Sequence, residues 1–153
     1  MISDTIQKQI AAALKARDEV RLSTLRMLSS SLNYERIAKQ HPLVSEEELG
    51  VVAKEAKKRR DAIEAFRQAR GKQTSSNEAG LAAKLAREEE ELAILKSFLP
   101  EELSESELEK IVAEAVTQNG NDFSRTMQAV MARVKGRADG GRVSRMVKEK
   151  LHD

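Results

Sequence analysis

Three features of the 153-residue chain predict an all-α fold. Aromatic residues make up only 3% and charged residues 34%, a mixture rich in helix formers and poor in strand formers. Apolar residues recur at helical spacing rather than alternating. Two Ser-x-x-Glu boxes, opening at Ser45 and Ser104, mark helix starts. With no Trp and so few rings, the core must come from Leu, Ile, Val, Ala and Met.

Taken in order, Ser3 or Asp4 can cap a first helix. Ile6, Ile10 and Leu14 form its stripe, and it ends between Lys15 and Asp18. A second helix carries Leu22, Leu25, Ser29 and Leu32, with Ile37 near its end. Pro42 stops it, because proline disfavours helix in the residue before it. The box at Ser45 opens a third helix, and Glu46, Glu47 and Glu48 suit the positive end of its dipole. This helix buries Leu49, Val52, Ala56, Ile63 and Phe66 and runs to Arg70, where Gly71 takes the C′ position. Lys72 to Asn77 reads as a loop. A fourth helix spans Glu78 to Phe98, with Leu81, Leu85, Leu92, Leu95 and Leu99 inward. Arg59 and Glu88 both fall on apolar stripes and come level in an antiparallel hairpin. A partly buried pair of Arg59 with Glu88 or Glu89 is therefore expected to set the register.

Phe98 to Leu103 is the expected boundary. Residues 1–98 form an N-terminal helical hairpin domain and residues 99–153 a small three-helix tail domain. In the tail, the box at Ser104 starts a helix with Leu108, Ile111, Val112, Ala115 and Val116 inward, closed by Asn119-Gly120-Asn121. Ser124 starts the next, with Met127, Val130, Met131 and Val134. The last carries Val143, Met146, Val147 and Leu151. The tail core is expected around Phe123, Met127, Met131 and Met146.

The net charge of +2 hides a segregation. Glu88 to Glu114 holds ten acids against two lysines, whereas Ser124 to Lys150 holds eight Lys or Arg against two acids. Such a distribution means either a directional surface field or two solvated helix faces. The absence of Cys excludes disulfide and thiolate chemistry. No apolar run is long enough to span a bilayer, and the N-terminal residues lack a signal-peptide pattern, so a soluble cytoplasmic protein is expected.

No catalytic residues emerge. His41 and His152 have no partner at metal-ligand or triad spacing. Glu88-Glu89-Glu90-Glu91 turns most of the way round a helix and cannot converge on one ion. There is no nucleophile elbow and no phosphate loop after a strand. Neither a metal nor a cofactor is expected.

Binding is a better match to the residues present. The basic run Lys54 to Arg60 is interleaved with Glu55 and followed by Asp61, which suits pairing along a helix. The stretch Val134 to Arg142 is different: it holds three of the chain's seven glycines between two helix-patterned runs. Lys135, Arg137, Arg142 and Arg145 gather there with few acids. Gly136, Gly140 and Gly141 allow close backbone approach, and Asp139 is suited to cap the last helix. The cations can contact phosphates. Aromatic platforms for unpaired bases are missing, which favours a folded RNA over a single strand.

Several segments resemble the YqeY family in order along the chain. These are Leu25-Arg26-Met27-Leu28; Lys57-Lys58-Arg59-Arg60-Asp61 with Phe66; Glu89 to Leu95 with Phe98-Leu99-Pro100-Glu101; Val130-Met131; and Lys135 to Gly140 with Val147-Lys148-Glu149. The family is related to the helical and tail regions of the B subunit of glutamine-dependent aminoacyl-tRNA amidotransferase. The resemblance implies an all-helical N-terminal part, a three-helix tail, and tRNA as partner. It carries the family-level label of a carbon–nitrogen ligase with glutamine as amido donor, but that subunit's catalytic part has no counterpart here. The expected function is thus a tRNA-binding accessory module in translation. The alternative is a protein–protein adaptor docking on a synthetase or an amidotransferase subunit.

Overall fold

The computed structural model describes residues 1–72 and 77–152. Among them are seven α-helices and no strand: α1 Ile2–Lys15, α2 Glu19–Lys39, α3 Ser45–Arg70, α4 Glu78–Lys96, α5 Glu105–Asn119, α6 Phe123–Val134 and α7 Gly140–His152. The chain is all-α, as its composition and periodicity predict. It divides into two compact units, Met1–Leu99 and Pro100–Asp153. Most of the loop predicted after α3, residues 73–76, lies outside the described residues.

In the first unit α3 and α4 form an antiparallel hairpin, α2 packs on both, and α1 packs mainly on α2. The main core comprises Ile6, Leu28, Leu32, Leu43, Val51, Val52, Ala56 and Leu95, with a smaller cluster of Ala13, Leu25 and Ile94. Two sequence expectations shift here. Leu14 is 56% exposed while Ala13 is buried. An i, i+4, i+8 stripe drifts by roughly 40° per step, whereas i+7 returns nearly under i. Ile37 is also exposed, and the buried face of α2 runs through Leu25, Leu28 and Leu32.

The helix ends differ from expectation in an informative way. Neither Ser3 nor Asp4 caps α1. Glu48, only 1% exposed, reaches across from α3 and accepts the N–H of Ile2 at 2.6 Å and of Ser3 at 3.0 Å. Ser45 is the first residue of α3 rather than its cap. Val44 takes the cap position, and its N–H donates to Glu47 at 3.0 Å, so only the glutamate half of the box is made. The Lys39 ammonium, 2.9 Å away, and this N–H hold the Glu47 carboxyl below its ordinary value. Gly71 ends α3 with φ −69°, so the expected stop occurs without a left-handed residue.

The hairpin is pinned by charge. Arg59 Nη1 lies 3.2 Å from Glu88 Oε2 and 3.2 Å from Glu91 Oε2. Glu89 instead meets Arg67 at 2.9 Å. Arg87 on α4 donates to Glu91 at 3.1 Å and to Ser23 of α2 at 3.2 Å. On the opposite side Glu55, 5% exposed, accepts from Ser31 of α2 and from Lys58.

In the second unit α5, α6 and α7 pack pairwise around Leu103, Leu108, Val112, Val130, Val134, Ala138, Val143, Met146 and Val147. Ser104 caps α5 with a complete box: it accepts from the N–H of Glu107 at 3.3 Å, and Glu107 accepts from the N–H of Ser104 at 3.0 Å. The Ser104 N–H and the Ser104 hydroxyl, both donating to Glu107 Oε2, hold that carboxyl below its ordinary value. Asp122, not Ser124, caps α6. The expected core of Phe123 and methionines is corrected as well. Phe123 is 36% exposed and Met131 38%; of the four residues only Met146 is buried. The centre is built from β-branched valines instead, whose compact, stiff side chains fill the space between three short helices.

Thr126 sits in that centre, 0% exposed, with its hydroxyl lacking any hydrogen-bond partner among the described residues. An unsatisfied buried hydroxyl is destabilising, and valine has nearly the same shape. Thr126→Val is expected to stabilise the tail by about 1 kcal/mol, read as a rise in Tm. A fall in Tm on this substitution would mean that the hydroxyl is satisfied in solution.

Candidate nucleic-acid interface

The turn between α6 and α7 is built in an unusual backbone. Lys135 closes α6 in the left-handed region, φ 46° and ψ 49°, with its N–H on the Met131 carbonyl at 3.4 Å. Gly136 follows at φ +78°, where a side chain would be strained. The chain then reverses: Arg137 N–H returns to the Val134 carbonyl at 2.9 Å. Ala138 tucks into the core. The Asp139 carbonyl accepts from Val143 at 3.0 Å and so begins α7. A Cβ on Gly141 would come within 3.1 Å of Asp139 Oδ2, so a larger residue there would make the carboxylate give way. The carboxylate thus lies over the first turn of α7, where the helix dipole favours an anion.

Two of the predicted phosphate contacts are committed to the fold. The Arg137 carbonyl accepts from Leu103 N–H at 2.8 Å, and Arg137 Nε donates to the Glu101 carbonyl at 3.0 Å. Arg142 Nη1 donates to the Leu103 carbonyl at 3.0 Å, and Arg142 Nη2 lies 3.3 Å from Glu105. Together they strap the 101–105 segment to the turn. Arg133 pairs with Glu114 at 2.7 Å and Arg125 with Asp122 at 3.6 Å. Two of these pairs, Arg133 with Glu114 and Arg142 with Glu105, join the basic block to the acidic one within the tail.

Lys135 and Arg145 stand apart. Both are exposed, and neither forms an ion pair among the described residues. Lys148 is exposed too, its ammonium 5.8 Å from the centre of the Phe123 ring. The structure thus places Lys135, Gly136 and Arg137 in one turn, with Gly140, Gly141 and Arg142 in the first turn of α7 and Arg145 beyond. It separates them into cations that hold the turn and cations that face outward. Sequence spacing could not make this division, because the partners of Arg137 and Arg142 are carbonyls more than thirty residues away. What sequence reasoning missed was the strap itself; the basic turn's distance from Glu101 to Glu105 is set only by the tertiary fold.

Among the described residues, no group of His, Asp or Glu is placed to hold a metal. No helix there is long and apolar enough to cross a membrane. No curated protein shows significant similarity to the chain. The family described as Yqey-like protein matches residues 3–151, nearly end to end, and with the all-helical architecture this places the chain in the YqeY family.

Proposed function

We propose that the chain is an RNA-binding accessory module whose tail contacts the phosphate backbone of a structured RNA, with tRNA the partner suggested by the resemblance to the amidotransferase tail. The observation that carries this reading is a pair of exposed cations, Lys135 on the turn and Arg145 on α7, with no ion-pair partner among the described residues, beside a turn tied down by Arg137 and Arg142. The backbone of the turn is already tied down, so only the side chains need ordering on binding, which lowers the entropic cost of contact. Arg137 and Arg142 can add to the field while keeping their carbonyl contacts. Backbone recognition of this kind needs no stacking platform.

The test is a titration of the full chain with bulk tRNA at two salt concentrations. Affinity is expected to fall steeply with salt, and replacing Lys135 and Arg145 together should reduce the log–log slope by about 2. The substitution Lys135→Gly is informative by itself. It removes the charge and also relieves a non-glycine residue at positive φ, a strain of about 1 kcal/mol. The variant is therefore expected to bind RNA less well and to melt higher. Absence of binding at low salt, or binding indifferent to both substitutions, would remove the proposal.

A further inference from the structure

The two exposed large apolar side chains of the tail, Phe123 and Met131, both stand on α6, with half-buried Met127 between them. Phe123, Met127 and Met131 follow each other at i, i+4 and i+8 along α6. Across from them, Gly140, Ser144 and Lys148 follow each other at the same spacing along α7. Two contacts fix the alignment of these rows. A Cβ on Gly140 would lie 4.0 Å from Met131 Cε, and Lys148 Nζ lies 5.8 Å from the centre of the Phe123 ring. Phe123 and Met131 are exposed, while Met127 and Ser144 are half-buried. Gly140 and Ser144 are small, so the α7 row beside the methionines carries little side-chain bulk, and the Met131 methyl lies near Gly140.

We propose that this α6–α7 face docks an acidic amphipathic helix of a partner protein. A row of large side chains beside a row of small ones suits the ridge of a further helix. Methionine is the side chain best able to reshape itself around an incoming apolar stripe. The charges select the partner's sign: Lys135 stands at one end of the row, Lys148 at the other, and Arg145 beside it, with no acid paired to Lys135 or Arg145 among the described residues. An apolar stripe flanked by Asp or Glu satisfies both features at once. An unpaired nucleobase fits less well. It needs an open ring face, and the Phe123 ring already carries the Lys148 ammonium. The inference goes beyond the RNA reading, which depends on charge alone and not on the methionine row.

The test uses the full ¹⁵N-labelled chain and a synthetic helical peptide with Leu on one stripe and Glu flanking it. A second peptide replaces each Glu by Lys, and a third probe is a short unstructured oligonucleotide. The acidic peptide is expected to shift the amides of Met127, Met131 and Ser144 and to bind about tenfold more weakly to Met131→Asp. Ser144→Trp, which puts bulk on the small-residue row, should weaken it similarly and covers the case in which the first variant folds poorly. Tail RNA binding should persist in Ser144→Trp, so failure here is distinct from failure of the RNA proposal. Three results would overturn the inference: no shifts on this face, equal binding of the basic peptide, or shifts there from the oligonucleotide but not from the acidic peptide.

Discussion

Glu48→Ala is expected to lower the stability of the N-terminal unit by about 3 kcal/mol, a drop in Tm on the order of 10 °C. The first turn of a helix carries N–H groups with no partner inside the helix. Here Glu48 accepts two of them, from Ile2 and Ser3, while being almost fully buried. Bonds to an ionised acceptor are the stronger kind, and the carboxylate also meets the positive end of the α1 dipole. Alanine leaves both donors without this acceptor and opens space between α1 and α3. Glu48→Gln keeps one oxygen acceptor but no charge, so it should recover roughly half of the loss. The effect should begin locally. Hydrogen exchange in α1 is expected to accelerate before that in α3 and α4, since α1 packs mainly on α2 and only slightly on α3. An unaltered melt in Glu48→Ala, or unaltered exchange in α1, would show that the cap contributes nothing.

This glutamate also shows where the sequence stops being legible. Three consecutive acids at the start of α3 read correctly as a helix opening, because local electrostatics decides that. Which of them turns outward to Lys39 and which turns inward to α1 depends on a partner helix more than forty residues distant. The same limit explains the tail core. Helical periodicity placed Val130, Val134, Val143 and Val147 inward, and all four are buried. Periodicity also admitted Phe123 and Met131, because a wide apolar stripe does not say which of its edges faces the neighbour. Three short helices enclose little volume, so compact valines fill much of the centre beside Leu108, while Phe123 and Met131 stay at the margin. The element order was readable throughout, since seven runs with clear stops leave few alternatives.

The candidate site divides along the same line. The turn at Lys135 to Gly141 stands out in sequence through its glycines and cations, and Gly136 does occupy a conformation suited to glycine. The roles of the cations are another matter. Arg137 and Arg142 look identical to Arg145 in a composition count, yet the first two strap the 101–105 segment to the turn and the third does not. A guanidinium offers donors in several directions, so it can serve a buried carbonyl and an incoming phosphate alike. Only a structure tells which of these a given arginine already does.

Arg59→Leu is expected to cost about 3 kcal/mol, because it leaves buried Glu91 and half-buried Glu88 without this counter-charge. The Arg59 side chain is 23% exposed, Glu88 18% and Glu91 10%, so solvent screens this cluster far less than a surface pair. The two acids are not equivalent. Glu91 keeps Arg87 at 3.1 Å, whereas no second cation pairs with Glu88 among the described residues. The loss should therefore centre on Glu88, and Arg59→Leu combined with Glu88→Leu should regain most of it. Replacing both partners of a buried pair by apolar groups is often neutral, while removing one is not. Unchanged stability in Arg59→Leu would sink the idea that this pair matters. A double variant as unstable as the single one would instead assign the loss to packing of the arginine stem, whose Nε is buried without an acceptor. Register can be read separately. If the charges align α3 against α4, the double variant should regain its melting temperature while exchange along the hairpin becomes less uniform, because leucines on two long helices can slide where an ion pair cannot.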